Sequence, residues 1–142
     1  MIVFTIPVTP VTKKNNGRIT KVNGRLILLP SKQYMAFEKA CLPYLYHVKE
    51  MAGIITYPVN MECVFYTKTR RRVDLPNLLN AIDDAMVKSG LIIDDNRDII
   101  AAHDNSRVFH DKFNPRIEIK ITRLKDYIQW KDTTTEQKSF SY

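Results

Sequence analysis

Arg70-Arg71-Arg72-Val73-Asp74-Leu75-Pro76-Asn77-Leu78-Leu79 joins a run of three guanidinium groups to a carboxylate and then to an apolar periodic stretch. Leu78, Leu79, Ile82, Ala85 and Met86 recur at helical spacing, so residues 75–89 read as a helix. Asp74 stands at its N-cap position, Pro76 in its first turn and Gly90 just past its end. One side of this helix carries Asn77, Asn80 and Asp84 in a column. A second acidic group, Asp94-Asp95-Asn96, follows the short apolar piece 91–93. Cations beside acids that can converge fit a site where a polyanion and a metal ion meet.

Outward from this stretch the pattern is mainly that of strands. Residues 2–6 alternate, with Ile2, Phe4 and Ile6 on one face, and Pro7 and Pro10 end the run. Lys13, Lys14 and Arg18 lie in or at the end of a polar basic loop, readable as a solvated turn or as a phosphate contact. Asn23-Gly24 between two β-prone runs predicts a type I′ hairpin over 19–29, with Arg18, Lys21 and Arg25 on its outer face. Ser31 caps a helix reaching about residue 52, with Tyr34, Phe37, Cys41, Leu45 and Val48 inward and a kink at Pro43. Residues 57–67 alternate as a half-buried strand, which makes Cys63 a core residue. Residues 99–108 and 116–123 read as a second hairpin. His47, His103 and His110 lack metal-ligand spacing and read as structural, and Asp83 as a solvated face residue. Residues 125–142 form a C-terminal extension in which Tyr127, Ile128 and Trp130 dock and the last residues are flexible. The order of elements predicts one α+β domain over 1–124: a small mixed sheet with two main helices packed against it.

The totals narrow the function. The chain has 142 residues, a net charge of +7 and an apolar fraction of 44%. That supports a single core and favours an acidic partner such as nucleic acid. Two cysteines, Cys41 and Cys63, make no disulfide framework, so a reducing cytoplasm is the expected setting. No apolar run approaches the ~18 residues of a membrane helix.

Taken singly, Asp74 reads as a helix cap or as a ligand, and Asp94-Asp95-Asn96 as a turn or as a ligand pair. Taken together with the arginines, they suit a hard divalent ion, which takes carboxylate oxygens, water and substrate phosphate. Asp74 and Asp95 can share an ion if residues 91–95 return along the sheet beside the strand ending at Thr67.

The run from Arg70 to Leu79, then Asp84-Ala85-Met86, Gly90-Leu91-Ile92 and Asp94-Asp95, resembles the RusA family of Holliday junction resolvases. These are small endonucleases commonly encoded by phages and prophages. The family pattern is a basic run, Asp-x-Asp-Asn-Leu, a helix with a further Asp, a Gly and an Asp-Asp pair. The opening strand 2–6 and the closing strand 116–123 are also similar, so the resemblance spans roughly 1–124. It implies a homodimer that binds four-way junctions and other branched DNA and makes paired nicks with Mg²⁺ or Mn²⁺. It implies catalytic roles for Asp74 and Asp95. Metal ligands would come from Asp74, Asp95, Asp94 and Asp84, supported by Asn77 and Asn80. Arg70, Arg71, Arg72, Lys13, Lys14 and Arg18 would bind DNA. The chain departs from the pattern at Pro76, where the family has its second Asp, and at Asn80, where a basic residue is common. An alternative is therefore a weakened or inactive homologue that binds branched DNA.

Overall fold

The computed structural model describes residues 1–13 and 18–127. The longest strand, β4 (Val59–Thr67), alternates as its sequence predicts: Met61, Cys63 and Phe65 are buried, while Glu62, Val64 and Tyr66 are only half covered. β7 (Arg116–Arg123) runs antiparallel along one edge of it, with Cys63 opposite Ile119 and Phe65 opposite Ile117. β1 (Ile2–Ile6) pairs antiparallel with the far side of β7. On the other edge of β4, β5 (Ile100–Ala102) and β6 (Arg107–His110) both pair parallel. The result is a five-stranded mixed sheet.

This corrects the expected second hairpin. β6 and β7 do not pair, because β4 lies between them. A nine-residue strand with buried side chains leaves polar backbone on both edges, and each edge must be paired. The short link from β6 to β7 crosses the end of β4, where Asp111 N–H donates to the Thr67 carbonyl at 2.9 Å. The Asp111 carboxylate accepts from the N–H groups of Phe113 and Asn114 and pairs with Arg116 at 3.0 Å.

Helix α1 (Lys32–Ala52) starts at Ser31, whose hydroxyl accepts from Tyr34 N–H at 3.1 Å. It continues through Pro43, which is exposed. Helix α2 (Leu75–Ser89) ends at Gly90 in the left-handed region, φ 74°. Tyr34, Phe37, Cys41 and Leu45 of α1 and Leu78, Ala81, Ile82, Ala85 and Met86 of α2 complete the core with Met61, Phe65, Ile117 and Ile119. The fold is therefore α+β, two helices with a mixed sheet, as the order of elements predicts.

A separate ribbon, β2 (Arg18–Val22) with β3 (Arg25–Leu29), forms the expected hairpin. Asn23 at φ 50° and Gly24 at φ 81° carry its turn, as a type I′ turn requires. Its charges are not all on one face. Arg18 and Arg25 share a side while Lys21 falls on the other, because successive strand residues alternate. Past β7 the chain makes a 3₁₀ turn, Leu124–Tyr127. Ile128, Trp130 and the proposed flexible tail lie outside the described residues.

Candidate active site

Helix α2 displays the acidic column. Asp74 is its N-cap residue by position, yet its carboxylate makes no capping bond to the helix N–H groups. It accepts instead from the Asn77 amide at 3.3 Å and stays exposed. Asn80 is exposed and Asp84 half-buried further along the same side. Asp74 and Asp84 are ten residues apart, which is ~15 Å along a helix axis. Two carboxylates on one Mg²⁺ must bring oxygens within ~4 Å of each other, given bonds of ~2.1 Å. Asp74 and Asp84 therefore do not serve one ion.

Asp83 is not solvated. It points inward, 8% exposed, and its Oδ2 lies 2.9 Å from His103 Nε2. His103 Nδ1 lies 2.7 Å from the Met61 carbonyl, which can only accept, so Nδ1 is the donor. One proton is then held between Nε2 and Oδ2. Burial pushes the Asp83 carboxyl above the usual carboxylate range, with the His103 bond pulling back. Burial lowers His103, but its bond to Asp83 and the charge there outweigh this and leave it raised. The bridge ties α2 to the sheet through Asp83, and the next side chain, Asp84, turns to the open side.

Asp94 organises the turn that presents Asp95. One Asp94 oxygen accepts from Asp95 N–H and the other from the Asn96 amide, both at 2.8 Å. Asp95 then reaches a cleft of about 680 Å³ lined by Asn80, Asp84, Lys13, Leu28, Leu29 and Pro30. One wall is thus the acidic side of α2, and the opposite wall is the apolar end of the β2–β3 ribbon. The Lys13 ammonium pairs with Asp84 Oδ2. The Tyr34 hydroxyl donates to Glu38 at 2.9 Å and lies 3.4 Å from the same Asp84 oxygen. Burial, and then these two carboxylates, push the phenol well above its usual range, so it stays protonated and donates to them.

The route that brings Asp95 here differs from the expected one. Residues 91–93 do not return beside Thr67. Ile92 bridges Ile55, ahead of the start of β4, with Ile55 N–H donating to the Leu91 carbonyl at 2.8 Å. Asp95 consequently joins Asn80 and Asp84, while Asp74 sits outside the cleft lining, about 9 Å along the axis from Asn80. Among the described residues no group of three or more Asp, Glu, His or Cys side chains is arranged to hold an ion. The cleft offers two carboxylates and an amide oxygen, all hard donors. That suits Mg²⁺ or Mn²⁺ completed by water and substrate phosphate.

The cations are divided. Lys13 is in the acidic cleft, whereas Arg71 and Arg72 line a separate recess beyond the N-terminal half of α2. Arg70 is exposed, Arg18 lies against Met35 of α1, and Lys14 falls outside the described residues. Sequence reading missed Tyr34 and the Asp83–His103 bridge. Both depend on partners 50 and 20 positions away, which no local spacing announces.

Fold and cleft together define a small basic α+β domain with hard oxygen donors in a groove, a class suited to acting on nucleic acid. The chain belongs to the Endodeoxyribonuclease RusA family, whose profile matches residues 7–122. It is thus a member of a nuclease family. A search of curated proteins found no match.

Proposed function

We propose that this protein is a structure-selective endonuclease that resolves four-way DNA junctions by paired, metal-dependent phosphodiester cleavage. The observation that carries the reading is the meeting of Asp95 with Asp84 and Asn80 in one open cleft, in a chain of the RusA family. Mg²⁺ or Mn²⁺ bound there would activate a water and stabilise charge on the phosphate. Asp95 and Asp84 would hold the ion, with Asn80 orienting its water. Asp74, free of capping duty, would act at the helix start on the same strand of DNA. Lys13 would release Asp84 to the ion and turn to the phosphate. Arg70, Arg71 and Arg72 would neutralise backbone charge. The apolar wall at the end of the ribbon, Leu29 and Pro30, would pack the sugars and exclude water.

The activity also implies a homodimer, since a twofold pair of sites matches a roughly twofold junction. Ile19, Leu26 and Leu28 support this, sharing one face of the ribbon at 73%, 76% and 71% exposure. So much exposed apolar surface on a two-stranded ribbon suits a subunit contact.

The test is a synthetic four-way junction incubated with Mg²⁺ or Mn²⁺. Symmetric nicks in opposing strands are expected, abolished by Asp95→Asn. A second reading, a junction-binding protein without cleavage, is favoured by Pro76 in the place of a family carboxylate and by the Lys13–Asp84 pair. Tight junction binding with no nicks under either metal would select it.

A further inference from the structure

On the other side of residues 12–13 from the acidic cleft lies a recess of about 560 Å³. Thr12, Gln33, Lys68, Thr69, Arg71 and Arg72 contribute to its wall, and among the described residues no acidic one does. Its own lining holds its shape. The Thr67 hydroxyl donates to the Thr69 carbonyl at 2.9 Å and reaches the Phe109 carbonyl at 3.2 Å, which fixes the bend carrying Lys68 and the arginines. Thr12 is 7% exposed, and its Oγ1 has no hydrogen-bond partner among the described residues. An unpaired buried hydroxyl costs roughly 1–3 kcal/mol in general, so an incoming acceptor oxygen at this hydroxyl would recover about that much.

We propose that this recess is a phosphate pocket that seats one internal, non-scissile phosphodiester of the bound strand. The lysine and two arginines supply charge, and the arginines can grip two oxygens at once. The Thr12 hydroxyl supplies the donor that a purely electrostatic patch lacks. The recess falls in the ~300–1,000 Å³ range of ligand pockets, room for a phosphate with its sugar. Thr12 and Lys13 are chain neighbours about 3.8 Å apart at Cα, yet they face the two different recesses. Adjacent residues thus border both recesses, so a strand crossing the acidic cleft can also reach this recess with a neighbouring phosphate. Its role in cleavage rests on the nuclease reading above; its affinity for phosphate does not.

The first measurement is the melting temperature of the full chain in inorganic phosphate against chloride at matched ionic strength. Phosphate should raise it more than chloride does. Thr12→Val should weaken phosphate binding roughly tenfold, Thr12→Ser should restore it, and Arg71→Ala with Arg72→Ala should abolish it. An equal response to the two salts, or wild-type phosphate binding by T12V in a protein that melts normally without phosphate, would overturn the pocket. The second measurement scans single methylphosphonates along one junction strand. One interior position should weaken binding by wild type and have little further effect in T12V. Sensitivity only to a 5′-terminal phosphate would overturn the internal assignment. Phosphate binding lost in T12V, in a protein that never nicks junctions, would sustain the pocket and sink the nuclease reading alone.

Discussion

Pro76 is exposed at the second position of α2, where its missing N–H costs no hydrogen bond. The first turn of this helix carries no acidic residue. Pro76→Asp would restore the family's second carboxylate one residue from Leu75 and near the free Asp74. A carboxylate in the first turn gains ~0.3–1 kcal/mol from the helix dipole, against a similar loss of proline's rigidity. Stability should stay near wild type. Position 76 lies about 12 Å along the axis from Asp84, so the Mg²⁺ concentration for half-maximal junction cleavage should not change if Asp84 and Asp95 hold the ion. A titration of nicking rate with Mg²⁺ checks this, and a several-fold fall would move the ion to the helix start beside Asp74. At this scale the residues differ in how readable they were. Asn77, Asn80 and Asp84 were placed on one side of the helix by spacing alone, and Asp74 at its N-cap position. Asp83 was not, because a carboxylate is expected in water until a partner is known, and His103 comes from a different element.

The elements are held in place by few polar ties. The Asp83–His103–Met61 bridge joins α2 to β4 through the residue that follows β5. Replacing His103 with alanine leaves a buried carboxylate without its partner, at a cost of about 2 kcal/mol. The bridge also gives stability a pH dependence. The folded value of His103 lies above its unfolded value near 6.5, so its contribution is complete below that pH and is lost as pH rises through the folded value. Asp83, also raised, adds a loss of the same sign at lower pH. The melting temperature should therefore fall as pH rises above about 6.5, and His103→Gln should flatten that slope in a calorimetric series. Gly90 closes α2 at φ 74°, and a Cβ there would also lie 2.9 Å from Lys49 Nζ. The lysine end can move but the backbone cannot, so Gly90→Ala should cost about 1 kcal/mol by denaturant titration. Both helices, the first hairpin, β1, β4 and β7 were legible from periodicity and caps. The pairing of β6 was not, since an alternating pattern marks a strand without naming its neighbour.

Across the whole molecule the charges are sorted. Lysine and arginine line the recess beside Thr12, and aspartates line the cleft on the far side of Lys13. If three arginines meet phosphates, log affinity for a junction should fall with log salt at a slope of roughly −3, and Arg71→Ala should reduce the slope by about 1. Filter binding across a salt series measures this, and a flat response would remove phosphate from the interface. The β2–β3 ribbon extends the apolar surface beyond the body of the fold. Leu26→Lys with Leu28→Lys should convert the proposed dimer to a monomer in light scattering while leaving the melting of the main domain unchanged. A wild type that is already monomeric would remove the paired-nick mechanism.

Taken alone, the sequence determined both helices, the first hairpin and the strands β1, β4 and β7, which face of each helix is apolar, and which carboxylates flank α2. Those properties follow from periodicity and turn chemistry within a few residues. Only the tertiary structure decided which acids meet. Residues 91–93 pair with Ile55 and not alongside Thr67, so Asp95 reaches Asp84 and Asn80 while Asp74 stays at the helix start. Strand pairing is settled by which backbone edges need partners across the whole sheet, and that choice is made far from the residues whose chemistry depends on it.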